Sequence, residues 1–190
     1  MPDNQLDIAV VCGSFRRASY NAALARSLPG LAPAGLNLKS APPIDKFPLY
    51  NADIQNTSGF PAEVTAFADA IRAVDGVIIV SPEYNWSIPA GIKNAIDWTS
   101  RFKDEPLKGK PVALQSCAGG LLGGARMQYH LRQAMIFLNA YTFNTPEIFV
   151  GMAQTKFDET TMEFKDEAGI KFITQQLAAF EGFIRKLTGK

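Results

Sequence analysis

Apolar residues along this chain switch between two patterns: short unbroken runs, and stretches that repeat at helical spacing. Leu6–Cys12 is an apolar run ending at Gly13-Ser14 and predicts a buried strand. Asn21–Leu28 is rich in Ala and Leu and stops at Pro29-Gly30, which predicts a helix. Leu36–Ser40 alternates and predicts a second strand, while Pro42–Phe60 has no clean period and predicts a long loop that serves as a lid or interface piece. From Pro61, Val64, Phe67, Ala68, Ile71 and Val74 recur as one helical face. Gly76 then opens Val77-Ile78-Ile79-Val80, a β-branched run suited to a parallel strand buried on both faces.

The second half repeats the scheme. Ser87 is placed to cap a helix with Pro89 in its first turn and with Ile88, Ile92 and Ile96 at four-residue steps. Pro111–Cys117 predicts a fourth strand and Gly119–Gly124 a Gly-rich turn. Ala125–Leu138 carries Met127, Leu131, Ala134, Met135 and Leu138 on one helical face. A fifth strand is expected between Ala140 and Val150, interrupted near Asn144-Thr145-Pro146. Residues Gln154–Glu167 are charged and irregular, and a last helix repeats Ile170, Ile173, Leu177, Phe180, Ile184 and Leu187. Alternating strands and helices predict an α/β fold with a parallel sheet and helices on both faces. For five strands the flavodoxin-like order 2-1-3-4-5 is the expected solution. A single domain over residues 1–190 is the simplest organisation, with no repeat or linker.

Composition narrows the function. Lys+Arg is 19 and Asp+Glu 18, so a net charge of +1 gives no basic footprint for nucleic acid. No apolar run approaches the roughly 20 residues of a membrane span. Residues Met1–Leu6 lack the pattern of a signal peptide. The two cysteines, Cys12 and Cys117, fit a reducing cytoplasm. They end the first and fourth strands with the third between them, so they should stand about 10 Å apart. That is beyond the roughly 7 Å limit for a disulfide. With one histidine, His130, a multi-ligand metal site is not expected, and His130 is read as a surface or interface residue.

Chemistry should gather at the carboxyl ends of strands 1, 3 and 4, where open α/β sheets bind ligands. The first loop, Gly13–Asn21, offers hydroxyls at Ser14 and Ser19, a guanidinium at Arg16 and an amide at Asn21, directly before a helix. Free N–H groups and the helix dipole favour an anion there, and several donors with one Arg suit a phosphate monoester. The same residues also fit a capped helix with solvated arginines. The loop is neither a nucleoside-triphosphate cradle nor a Gly-x-Gly-x-x-Gly dinucleotide turn, which points to a mononucleotide. The second loop runs from Ser81 to Pro89: Pro82 and Pro89 stiffen it, Tyr84 and Trp86 present flat faces, and Asn85 offers donor and acceptor together. That set fits a planar polar ring, or a turn whose aromatics pack on the core.

Taken together, Gly13-Ser14-Phe15-Arg16 with Ser19-Tyr20-Asn21, and Pro82-Glu83-Tyr84-Asn85 with Ser87-x-Pro89 and Lys93–Trp98, resemble the signatures of the NAD(P)H-dependent FMN reductases. Gly123–Gln133 resembles the chromate or quinone reductase branch of that family. The resemblance implies a flavodoxin-like fold, noncovalent FMN, and transfer of hydride from NAD(P)H and of two electrons on to quinones. The resemblance also implies chromate, azo compounds and free flavin as further candidate acceptors. It places Ser14, Arg16, Ser19, Tyr20 and Asn21 at the phosphate. Pro82, Glu83, Tyr84, Asn85 and Trp86 go to the ring, with Ser116, Ala118, Gly119 and Gly120 in the third loop. Glu83 is expected there as a backbone contact rather than a general acid, and no side chain is expected to be catalytic, because a flavin carries the redox chemistry. Backbone N–H groups of Ala118–Gly120 are expected to face developing charge on the ring.

Two departures stand out: Trp86 where close relatives carry Tyr, and Ala118 where the third loop is usually Ser-rich. Trp98, Phe102, Ile136 and Phe137 are more apolar than single helix faces need, which suggests a homo-oligomer. The resemblance implies dimers or tetramers. Arg126, Tyr129 and Glu147 match a polar cluster at the family's tetramer interface, although Arg126 and Tyr129 also fit a solvated pair. The alternative function is a flavodoxin-type electron carrier without NAD(P)H turnover, against which the near-neutral charge counts.

Overall fold

Strands form where the apolar runs stand, and they pair in the expected order. The computed structural model describes residues 5–190, so the reading of the leading residues 1–4 lies outside the described residues. The elements are β1 (Leu6–Cys12), α1 (Tyr20–Leu31), β2 (Leu36–Ser40), α2 (Ala52–Ser58), α3 (Ala62–Arg72) and β3 (Gly76–Val80). Then come α4 (Ala90–Thr99), β4 (Pro111–Cys117), α5 (Ala125–Phe137), β5 (Tyr141–Thr142), β6 (Ile148–Val150) and α6 (Glu167–Thr188). All the pairings are parallel, in the order β2-β1-β3-β4-β5. The interrupted segment yields two short strands, β5 and β6, that pair in succession with β4.

Side-chain alternation divides the core between the two faces of the sheet. Ile8 and Val10 of β1 pack with Leu24 and Leu28 of α1 and with Ile173, Leu177, Phe180 and Ile184 of α6. Ala9 and Val11 face the opposite layer, built from Val64, Phe67 and Ile71 of α3, Ile92 and Ile96 of α4, and Met127, Leu131 and Met135 of α5. Strands β3 and β4 are buried along their whole length, as parallel strands covered on both sides must be. No helix of the described residues is long and apolar enough to cross a membrane.

Four local expectations need correction. Helix α1 runs through Pro29 and Gly30 to Leu31. A proline in the last turn forfeits one ladder donor without ending the helix. The loop between β2 and α3 contains α2, which is capped by Asn51 and buries no residue, so it leaves no apolar period to read. Ser87 does not cap α4; Pro89 occupies that position and makes no side-chain cap bond. Trp98 is not surplus surface but is fully buried. Its Nε1 donates to the Pro48 carbonyl at 2.8 Å, and the Tyr50 and Phe60 rings pack edge-on against it. The long loop is therefore the cover of Trp98.

Candidate active site

The carboxyl ends of β1, β3 and β4 are adjacent, so the three loops predicted to carry chemistry meet on one edge of the sheet. Close approach ties the first loop to the second. Gly13 N–H donates to the Val80 carbonyl at 2.8 Å, and a Cβ on Gly13 would lie 2.6 Å from Ile92 Cγ1 and 2.9 Å from Ser81 Oγ. Only glycine fits this contact. Phe15 at the tip of the loop lies over Gly91 at the start of α4.

The first loop ends as an open helix terminus. Ser19 is the N-cap of α1, and its Oγ accepts from Ala22 N–H at 3.2 Å. The ladder itself leaves the N–H groups of Tyr20 and Asn21, the first two helical residues, without helical acceptors. Ser14 and Ser19 are buried at the base of the loop, and the Arg16 side chain stands in solvent above it. Two hydroxyls, a guanidinium and a helix N-terminus together make a donor set able to hold an anion. The Asn21 amide is not part of it. Its Nδ2 donates to the Cys117 carbonyl at 3.0 Å and its Oδ1 accepts from Cys117 N–H at 2.8 Å. Asn21 therefore joins the first loop to the third and contributes only its N–H to the terminus.

The second loop is a two-residue hairpin. Tyr84 and Ser87 exchange backbone hydrogen bonds of 3.2 and 3.0 Å. Asn85 and Trp86 between them take φ of 50° and 63°. Two successive positive φ values define a type I′ turn, a common choice at Asn and an uncommon one at Trp. The turn pushes Tyr84 and Trp86 outward, where both are exposed. Pro82 is buried at its base. Ser87 Oγ lies 3.1 Å from His130 Nδ1, which keeps His130 at the surface as expected.

The Glu83 side chain is engaged within the fold, which leaves its backbone to face the ring position. Its Oε2 accepts from Met127 N–H at 3.0 Å, capping the first turn of α5, and its Oε1 lies 3.8 Å from Arg126 Nη1. The guanidinium of Arg126 sits 4.1 Å from the Trp86 ring centroid. Within one chain, Tyr129 Oη donates to Glu147 Oε2 at 3.3 Å, Glu147 also pairs with Arg132 at 3.2 Å, and Arg126 turns to Glu83 and Trp86.

The third loop is fastened from below. Ser116 Oγ donates to the Gly123 carbonyl at 2.6 Å and accepts from Gln128 Nε2 at 2.8 Å. This buried hydroxyl pins the turn instead of reaching outward. Ala118 N–H donates to Val150 at 3.0 Å, so it too is committed. Gly119 and Gly120 are exposed, and a Cβ on Gly120 would meet nothing within 4 Å. Gln154, whose Oε1 lies 3.5 Å from a Cβ built on Gly119, borders the loop from a stretch that gave no sequence signal. Gln128, fully buried behind Ser116, belongs to the Gly123–Gln133 run, but its place under the third loop leaves no sequence signal.

Comparison with known proteins agrees with this architecture. The sequence model of the NADPH-dependent FMN reductase family matches residues 6–155. A quinone reductase of Escherichia coli strain K12 is 49% identical over 183 residues, covering 96% of this chain and 97% of that protein. An NAD(P)H-dependent FMN reductase of Pseudomonas aeruginosa is 40% identical over 186 residues, covering 98% of this chain and 99% of that one. Among solved structures, the flavoenzyme NAD(P)H:(acceptor) oxidoreductase FerB of Paracoccus denitrificans superimposes with a TM-score of 0.85 at 31% identity, covering 95% of this chain and 98% of its own. The fold, the three joined loops and these matches place the chain in the NADPH-dependent FMN reductase family.

Proposed function

We propose that this chain is an FMN-dependent quinone reductase that draws electrons from NAD(P)H, with chromate, azo compounds and free flavin as further acceptors. The observation that carries the reading is the junction of three loops around an open helix N-terminus, a glycine pair and two outward aromatic rings. The residues present fit the cofactor. Ser14, Arg16, the Ser19 hydroxyl and the N–H groups of Tyr20 and Asn21 match the charge and donor count of a phosphate monoester. Tyr84, Asn85 and Trp86 offer flat faces and an amide at the second loop. Gly119 and Gly120 are exposed at the third, where the lack of a Cβ lets a ring approach the backbone closely.

FMN, when bound, supplies the hydride chemistry. The protein's part is to hold and orient. Asn21 and Ser116 fix the heights of the first and third loops. The Glu83 side chain caps the α5 N-terminus through Oε2. No side chain is assigned a covalent or acid–base role.

The same reading places the enzyme in the cytoplasm, where two unbridged thiols are at home. It also makes residues 1–190 one functional domain and the active form a dimer or tetramer. Ile136 and Phe137 support the assembly, being 73% and 75% exposed on adjacent positions. Anaerobic addition of NADH and NADPH to the FMN-loaded protein, followed by a quinone, tests the function. Bleaching of the visible flavin bands and their return with the quinone are expected. A protein that stays colourless with FMN, or an FMN-loaded protein that NAD(P)H does not bleach, overturns it.

A further inference from the structure

An exposed indole on a positive-φ turn residue should be mobile unless something holds it. Trp86 is such a residue: its φ is 63°, and it is 66% exposed at the tip of the second loop. The structure supplies a holder. Arg126 lies with its guanidinium carbon 4.1 Å from the ring centroid. Arg126 is itself paired with Glu83 at 3.8 Å, and Glu83 is anchored by the Met127 N–H. A chain of contacts therefore runs from the first turn of α5 through a carboxylate and a guanidinium to an aromatic face. Arginine suits the middle of such a chain because a planar cation can stack on a ring while pairing with a carboxylate at its edge.

We propose that Arg126 is a positioning residue that fixes the Trp86 ring as a wall of the acceptor site and so governs which acceptors enter. This rests on the reductase reading above, which puts the second loop beside the cofactor. The wall is adjustable. An exposed cation–π contact shifts the balance between held and released ring by roughly two- to fivefold. Loss of the contact should therefore change acceptor KM by a similar factor, more for bulky than for small quinones, and leave FMN affinity as it was.

Tryptophan fluorescence reads the contact without turnover. The chain has two tryptophans, and Trp98 is fully buried, so quenching by neutral acrylamide reports Trp86. In the FMN-free protein, Arg126→Leu should raise the acrylamide quenching constant and lower the emission anisotropy, with Arg126→Lys intermediate. Trp86→Phe supplies the Trp98 baseline. In the FMN-loaded enzyme the same two Arg126 variants should shift acceptor KM in the same rank order. The proposal is overturned if Arg126→Leu and Arg126→Lys keep the parent's quenching and anisotropy, or if the ring is released while KM for every acceptor stays unchanged. Because the fluorescence is taken without FMN or NAD(P)H, a failure of the reductase reading would appear as absent turnover with the Trp86 response intact.

Discussion

The side chain of Asn21 closes two hydrogen bonds on a single residue, Cys117, which lies 96 positions further along the chain. The amide lies along the Cys117 backbone as a strand neighbour would, extending the sheet's bonding into the loops. It joins the start of α1 to the end of β4, so a disturbance at one loop is felt at the other.

Asn21→Ala should cost about 2–4 kcal/mol, because it removes both bonds and strands a buried N–H and a buried carbonyl. The urea midpoint measures this. FMN titration of the same variant should show weaker binding although no phosphate-facing side chain has changed. Unaltered stability would mean that water replaces the amide.

Gly13→Ala should overpack the contact between the first two loops, by about 1–3 kcal/mol. The added methyl would fall 2.6 Å from Ile92 Cγ1, in the core side of α4, where little can move. Denaturant unfolding should show the loss, and FMN affinity should drop with it. A variant as stable as the parent would show that Ile92 has room to turn.

Burial pushes the Cys117 thiol well above its ordinary range, and desolvation raises Cys12 as well. A raised folded pKa means that the unfolded chain loses the proton first. Stability is then intact below the ordinary thiol pKa and declines as pH climbs through it toward the folded value. The urea midpoint should fall between about pH 8 and about pH 10, and Cys117→Ala should flatten that fall in part, leaving the share of Cys12. Equal slopes for parent and variant would count against the thiol.

Ile136→Glu with Phe137→Glu should shift sedimentation toward the monomer, since charge on an apolar contact patch must be desolvated to keep it closed. Far-UV circular dichroism should be unchanged, both positions being solvent-facing within the chain. An unchanged sedimentation coefficient would move the interface elsewhere.

What could be read in the sequence was whatever left a period or a long buried run. Val77–Val80 is apolar throughout because it is covered on both faces, and its bounds follow from that. The Leu36–Ser40 strand and the long helix ending near Leu187 were visible for similar reasons. Helix α2 was invisible because it is short and mostly polar, with Ile54 its one large apolar residue and none fully buried. Trp98 was misplaced because a loop covers it, and loop packing leaves no periodic trace.

At the site, the sequence located the three loops but not the aim of their polar side chains. Asn21 and Ser116 look like ligand contacts in a one-dimensional reading, yet the Asn21 amide bonds to backbone and the Ser116 hydroxyl to the Gly123 carbonyl and the Gln128 side chain. The side chain of Glu83 caps a helix that lies more than 40 residues away, a role the loop sequence does not announce. Long-range bonds of this kind need the fold before they can be seen. The Asn85-Trp86 corner was half-legible, because Asn favours positive φ and Trp does not.

The divided outer strand bears on how copies of this chain can stick together. A continuous fifth strand would present a row of free amides and carbonyls, an invitation to pairing by another sheet. Here the margin consists of two and three residues, Tyr141–Thr142 and Ile148–Val150. In the gap between them the carbonyls of Phe143 and Pro146 are already taken by Arg132 and Gln176. That margin is a poor template for strand addition, and the helical patch at Ile136 and Phe137 does not depend on it.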